Sequence, residues 1–212
     1  MIGIFGGTFD PIHYGHLRPA LDVQQALGLQ QVRFIPLAVA VHRGQPAGSA
    51  EQRLAMVRAA IAGQPGFVAD DREIRRGGHS YTLDTLAEIK RERPDDTLCL
   101  FVGDDAFNDF LTWHRPLAIL DLAHLVVMSR PGSRRSADEN LTRLAAERRC
   151  QHPDTLKSRQ AGLICFQPVT PLDISATAIR ALAGEGRDTR FLLPDAVLEI
   201  IRRDQLYRRR KE

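Results

Sequence analysis

Cysteine is scarce in this chain: only Cys99, Cys150 and Cys165 occur among 212 residues, odd in number, scattered, and with no CxxC pair. That spacing excludes a disulfide-framed secreted fold and a zinc ribbon, and it makes a reducing compartment, the cytoplasm, the expected home. Long hydrophobic runs are missing as well. No stretch approaches the roughly 18 apolar residues of a membrane-spanning helix, and the first residues lack the basic and apolar regions of a signal peptide, so no membrane partner is expected. Nor is there an excess of charge of one sign, since 29 basic and 26 acidic residues leave a net charge of +3. So mild a balance suits a phosphorylated small molecule and does not argue for nucleic acid. The basic run Arg208-Arg209-Arg210-Lys211 reads as a solvated tail. Repeats, linkers and low-complexity stretches are also lacking, and residues 1–212 read as a single domain large enough to bury its own core.

Against these absences stands a regular alternation of short apolar runs and amphipathic stretches. Strands are expected at residues 1–5, 32–35, 67–69, 98–102, 122–128 and 163–166. Several of them are apolar throughout, as strands buried on both faces of a parallel sheet must be. Helices are expected after Ser49, which can cap residues carrying Leu54, Met56, Val57 and Ile61, and after Ser80-Tyr81-Thr82, ending before Pro94. Residues 134–153 read as a polar peripheral insertion with one helix, and a last helix starts near Pro194. The expected fold is α/β: a Rossmann-like, doubly wound parallel sheet with a small C-terminal helical part over residues 174–212.

The first strand runs into Gly6-Gly7-Thr8-Phe9-Asp10-Pro11-Ile12-His13-Tyr14-Gly15-His16, after which Leu17, Ala20 and Leu21 fall at helical spacing. A strand, a glycine turn and a helix start make an anion cradle, because glycines allow close backbone approach and a helix N-terminus offers unpaired N–H groups. The glycine spacing is neither that of the dinucleotide fingerprint nor that of a Walker loop. No third ligand near His13 and His16 completes a zinc site. A surface pair of helix-capping histidines would account for either imidazole alone, but not for Gly6, Gly7, Thr8, Pro11 and Gly15 beside them.

Residues 7–16 resemble the GxFxPxHxGH signature of the nucleotidyltransferase superfamily, and Ile174-Ser175-Ala176-Thr177-Ala178-Ile179-Arg180 matches its second signature, ISxTxxR. Three further segments resemble the bacterial nicotinate-nucleotide adenylyltransferase family: Ser80 to Leu86 (SYTxxTL), Gly103-Asp104-Asp105 followed by Thr112-Trp113-His114, and Leu192-Leu193-Pro194 with the closing Leu206-Tyr207. The resemblance covers nearly the whole chain. It implies transfer of the adenylyl group of ATP to nicotinate mononucleotide, with Mg2+ carried on the triphosphate. It implies catalytic roles for His13, His16 and Arg180. ATP would be bound by Gly6, Gly7, Thr8, Phe9, His13, His16, Gly103, Asp105, Arg130, Ile174, Ser175, Thr177 and Arg180. The mononucleotide would be bound by Thr82, Asp105, Trp113, His114 and Arg43.

Blander roles stand beside these. Trp113 can simply pack, Asp105 can cap a helix, Arg43 and Arg130 can be solvated, and Tyr81, His79 and His124 need no chemical role. The loop at residues 35–43 departs from the family's IPNxxPPHK/R pattern by lacking its Asn and both prolines, and Asp109 to Thr112 lacks the usual proline. A transferase acting on another phosphorylated acceptor and a non-catalytic nucleotide-binding module are the alternatives. Assembly as a homo-oligomer is compatible with the sequence.

Overall fold

The structure, a computed structural model, describes residues 1–39, 45–130 and 137–208. Arg43, part of the altered loop and most of the basic tail lie outside the described residues. The elements in chain order are β1 (Ile2–Gly7), α1 (Tyr14–Leu27), β2 (Gln31–Pro36), α2 (Ala50–Ile61), β3 (Phe67–Ala69), α3 (Arg72–Arg76) and α4 (Thr82–Glu92). There follow β4 (Leu98–Gly103), α5 (Asp104–Asn108), α6 (Pro116–Leu122), β5 (His124–Ser129), α7 (Glu139–Glu147), β6 (Ile164–Pro168), α8 (Ala176–Gly184) and α9 (Asp195–Arg203). The strands form one sheet in the order β3-β2-β1-β4-β5-β6, and the β1–β4, β4–β5 and β5–β6 pairs are parallel. This is the doubly wound α/β arrangement, in which helical crossovers cover the sheet and the ends of the strands are left for function.

Local chemistry explains most of the boundaries. Ser49 forms a full capping box with Gln52 at the start of α2, which satisfies two amides that a helix leaves without partners. Pro194 occupies the N-cap of α9. The run 122–128 expected as one strand is divided: Leu122 closes α6, and β5 begins at His124. Apolar composition cannot mark that break, because a buried helix end and a buried strand read alike. The expected insertion does contain α7, but it is not wholly peripheral. Leu141 is buried, Cys150 donates its amide to Ile164, and Ile164 donates its own to Arg148.

The chain packs as two compact units: residues 1–5, 19–33 and 81–171 form one, and residues 6–18, 34–80 and 172–212 the other. In the first, strands β4 and β5 are buried almost throughout. Gly3 lies under the Phe101 ring, where a Cβ would come within 2.7 Å. Burial pushes the Cys99 and Cys165 thiols up to about 12, chiefly by desolvation, so neither is a thiolate nucleophile near neutral pH. In the second, the rings of Phe9, Phe34 and Phe67 form a chain of tilted contacts at 6.0 and 4.9 Å, and α2 packs on α9.

His124 is fully buried and stitches the first unit together. Its Nδ1 accepts the Leu163 amide at 3.1 Å, which places the ring proton on Nε2, facing the carbonyls of Leu156 at 3.2 Å and Arg159 at 2.9 Å. Only the neutral ring fits these partners, since protonated Nδ1 would oppose the Leu163 donor. Desolvation holds the His124 pKa below its ordinary value of 6.5 despite both carbonyls. The unfolded chain therefore binds the proton more readily. Stability from this ring is complete above about pH 6.5 and is lost as pH falls through the lower folded-state value. Thermal unfolding from pH 7 down to 5 should show a falling Tm that is flatter in His124→Gln; equal slopes in the two proteins would assign the effect elsewhere.

Candidate active site

The loop leaving β1 is shaped by its own rings. Phe9 has a positive φ of 50° yet is almost fully buried, a conformation costing about 1–2 kcal/mol in a residue with a side chain. Packing holds it there: Phe9 contacts Phe34 and meets the His16 ring edge-on at 5.2 Å. Gly7 makes room for it, because a Cβ at Gly7 would come within 2.9 Å of the Phe9 ring. Gly6 is exposed, and a Cβ there would meet nothing within 4 Å. Thr8 keeps a buried hydroxyl without a hydrogen-bond partner among the described residues.

His13 is buried and His16 half-buried, with ring centroids 3.8 Å apart and planes tilted by 33°. The His13 amide donates to His16 Nδ1 at 3.3 Å. That bond leaves Nε2 of the neutral His16 ring as its N–H donor. The leading amides of α1, expected to face an anion, are largely taken. Tyr14 donates to the Leu192 carbonyl, and His16 and Leu17 both donate to the His13 carbonyl. Of the first four amides of α1, that of Gly15 is left without an acceptor among the described residues.

The second motif opens α8 and lies against the first. A Cβ at Gly15 would come within 2.8 Å of the Ile174 carbonyl and 2.9 Å of the His13 ring, so only glycine lets the histidine turn approach Ile174. Ser175 is the N-cap of α8 and accepts the Ala178 amide at 3.1 Å, while its carbonyl accepts that of Ile179. The amides of Ala176 and Thr177 are left without an acceptor among the described residues, the ordinary condition of a helix start able to receive an anion. Arg180, half-buried, donates from one guanidinium nitrogen to the Asp10 carbonyl at 2.8 Å, across 170 residues of sequence, and from the other to the Thr177 hydroxyl at 3.4 Å. His13, His16, Ile174, Ser175, Thr177 and Arg180 thus form one cluster within the second unit.

The other predicted residues, apart from Arg43, which lies outside the described residues, belong to the first unit. Thr82 is the first residue of α4. Gly103 closes β4 and is the N-cap of α5; Asp105 is exposed in the first turn of that helix and, contrary to the blander expectation, does not cap it. Asp104 instead accepts the Arg130 amide at 3.0 Å. Trp113 is half-buried with its ring 5.7 Å from that of Phe110, and the exposed His114 ring lies 4.6 Å from Tyr81. Sequence reasoning passed over three residues behind the β1 loop. Buried Arg53 donates to the carbonyls of Thr8, Leu37 and Gly48, and buried Asp10 accepts from Ala47, Gly48 and the Tyr207 hydroxyl. The available signal was Arg53 at i, i+4, i+8 spacing with Val57 and Ile61, a cation on the apolar stripe of α2.

Among the described residues no group of three or more His, Cys, Asp or Glu side chains converges as a metal site, and no helix is long and apolar enough to cross a membrane. The family described as cytidylyltransferase-like matches residues 4–182. A Methylococcus capsulatus protein described as "Probable nicotinate-nucleotide adenylyltransferase" is 47% identical over 208 residues, covering 98% of this chain and 99% of the relative. A Pseudomonas aeruginosa protein of the same description is also 47% identical, covering 98% and 97%. Among solved structures, the Plasmodium falciparum nicotinic acid mononucleotide adenylyltransferase complexed with NaAD superposes with a TM-score of 0.73 at 16% identity, covering 97% of this chain and 96% of that one, a likeness of fold. The chain belongs to the cytidylyltransferase-like nucleotidyltransferases and, within them, to the nicotinate-nucleotide adenylyltransferase family.

Proposed function

We infer that the chain transfers the adenylyl group of ATP to nicotinate mononucleotide, releasing pyrophosphate and forming nicotinate adenine dinucleotide for NAD synthesis, and that residues 1–212 act as one nucleotidyltransferase domain. The observation that carries this reading is the single cluster in which the histidine turn packs on Ile174 and Arg180 is anchored to the Asp10 carbonyl. The acceptor needs no protein base. A phosphate monoester has its second pKa near 6, so at neutral pH an oxygen of the mononucleotide is already an anionic nucleophile. It attacks the α-phosphorus as the bond to the β-phosphate oxygen breaks. What remains for the protein is alignment and neutralisation of spreading charge.

In this reading His16 donates from Nε2 to an α-phosphate oxygen, with His13 stacked behind it. Arg180 and the open amides at the start of α8 take the β- and γ-phosphates. Thr8 and the open face of Gly6 border the same nucleotide, with Phe9 shaping that wall. Gly103, Asp105 and Arg130 contribute to ATP; Thr82, Asp105, Trp113, His114 and Arg43 receive the mononucleotide. Mg2+ would be carried by triphosphate oxygens and water, where it would neutralise phosphate charge. Three free, buried cysteines suit the reducing cytoplasm.

Pyrophosphate release from ATP should depend on nicotinate mononucleotide; its absence with both nicotinate and nicotinamide mononucleotides would falsify the reading. His16→Ala should lower kcat about 100- to 1000-fold, as removal of one transition-state donor does elsewhere, with circular dichroism unchanged. Wild-type turnover in that variant would remove His16 from the chemistry. Two glycines give a contrast. Gly15→Ala should cost about 1–3 kcal/mol in unfolding free energy through overpacking against Ile174. Gly6→Ala should leave stability unaltered and raise the ATP KM; a Gly6→Ala enzyme with the wild-type KM would place no nucleotide there.

A further inference from the structure

Arg53 is among the least exposed residues of the chain, at 1% of its accessible surface. A guanidinium cannot shed its charge, so one buried this deeply must be satisfied by hydrogen bonds. Its hydrogen bonds all go to main chain: Nη2 donates to the Leu37 carbonyl at 2.7 Å, Nη1 to Thr8 at 2.9 Å and Nε to Gly48 at 3.3 Å. Those carbonyls belong to three separate segments, namely the β1 loop, the segment leaving β2 and the entrance to α2. Among the described residues no carboxylate lies within ion-pair distance of it, so its bonds are positional ones.

Asp10 completes the arrangement from the other side. One carboxylate oxygen accepts the Gly48 amide at 3.0 Å and the Tyr207 hydroxyl at 2.7 Å, and the other accepts the Ala47 amide at 2.8 Å. Arg53 and Asp10 therefore grip Gly48 by its carbonyl and its amide. A Cβ at Gly48 would lie 3.0 Å from the Asp10 carboxylate and 3.5 Å from the Arg53 stem, which leaves no slack. The carbonyl of Asp10 is also the anchor of Arg180.

We propose that Arg53, with Asp10 and Tyr207, is a positioning clamp for the triphosphate: it fixes the β1 loop and, through the Asp10 carbonyl, the direction of the Arg180 guanidinium. None of the three touches substrate. The inference rests on the adenylyl-transfer reading for the identity of the nucleotide. It differs from that reading in what it claims, namely that nucleotide affinity is set by buried side chains that hold the loop from behind. A planar fork with several donors can span three carbonyls in different directions, whereas an ammonium at the end of a flexible stem cannot hold the same geometry.

The test uses the full chain and ATP with Mg2+, by calorimetric titration, for wild type, Arg53→Met, Arg53→Lys and Tyr207→Phe. Nicotinate mononucleotide binding is followed in parallel by Trp113 fluorescence, and circular dichroism confirms the fold of each variant. The ATP Kd is expected to weaken about tenfold or more in all three variants, with Arg53→Lys giving no rescue, while the mononucleotide Kd stays within about twofold of wild type. Folded variants that bind ATP as wild type does would overturn the clamp. Equal weakening for both ligands would also overturn it, because a merely structural role lowers the competent fraction for every ligand. Should Arg53→Met not fold, Tyr207→Phe decides the matter alone, since it removes one hydroxyl and keeps the ring. A wild type that binds ATP but releases no pyrophosphate would sink the catalytic reading while the comparison of ATP Kd values still scores the clamp. A wild type without ATP affinity overturns both.

Discussion

A buried carboxylate must find donors or give up its charge, and Asp10 finds three: the amides of Ala47 and Gly48 and the hydroxyl of Tyr207. Its carbonyl accepts Arg180. The exit of β1, the entrance of α2, the first turns of α8 and the turn after α9 are thereby tied to one residue. The Tyr207 phenol has its pKa raised, by burial first and by the Asp10 charge second, so it remains a hydroxyl donor at any working pH. Loss of a donor would leave Asp10 partly unsatisfied in a buried setting, a cost larger than the net worth of the bond itself.

The rest of the second unit can be read as support for that tie. Phe9 is held at positive φ by ring packing, Gly7 leaves space for its ring, and Gly15 leaves space for the Ile174 carbonyl. Each local rule that is broken is compensated by a contact that no other arrangement would supply. Strain kept in place by packing marks a loop whose shape matters. In adenylyl transfer no covalent intermediate with the protein is needed, so shape is most of what a phosphate loop can contribute.

How much of this could be read from the sequence follows from which physical signals are periodic. The strands are legible because apolar runs such as Leu98 to Val102 sit buried on both faces of the sheet, and Ser49 is legible because its capping chemistry is local. Both motifs are legible as text, but their contact is not: it depends on a main-chain carbonyl, Ile174, meeting a missing Cβ at Gly15. Backbone pairing hides the same way, as where Arg148 and Cys150 join β6 from within a polar segment. Arg53 was missed because charge on a helix normally signals solvent, and its three carbonyl partners carry no side-chain signature. The opening of α1 is less legible for the opposite reason: helix starts offer free amides in general, but here Leu192 accepts that of Tyr14 and His13 those of His16 and Leu17.

In the adenylyl-transfer reading, the open amides at the start of α8 bear on how the charges divide. Two imidazoles whose centroids are 3.8 Å apart would repel by about 4 kcal/mol if both were cationic, at an effective dielectric constant of about 20. The bond from the His13 amide to His16 Nδ1 independently favours the neutral His16 ring. The histidine pair is therefore suited to directional N–H donation rather than to bulk neutralisation. In the adenylyl-transfer reading, positive charge beside this pair is offered by Arg180, whose guanidinium is already held at Asp10 and Thr177 and keeps further N–H groups to offer. In the adenylyl-transfer reading this separates two tasks that one cation would confuse. Neutral donors track the α-phosphate oxygens as geometry changes at phosphorus, and a fixed cation with the open α8 amides stabilises the pyrophosphate that departs. A cationic histidine pair that bound the ground-state triphosphate more tightly without favouring the transition state would lower KM and kcat together, so the tighter binding would bring no gain in turnover.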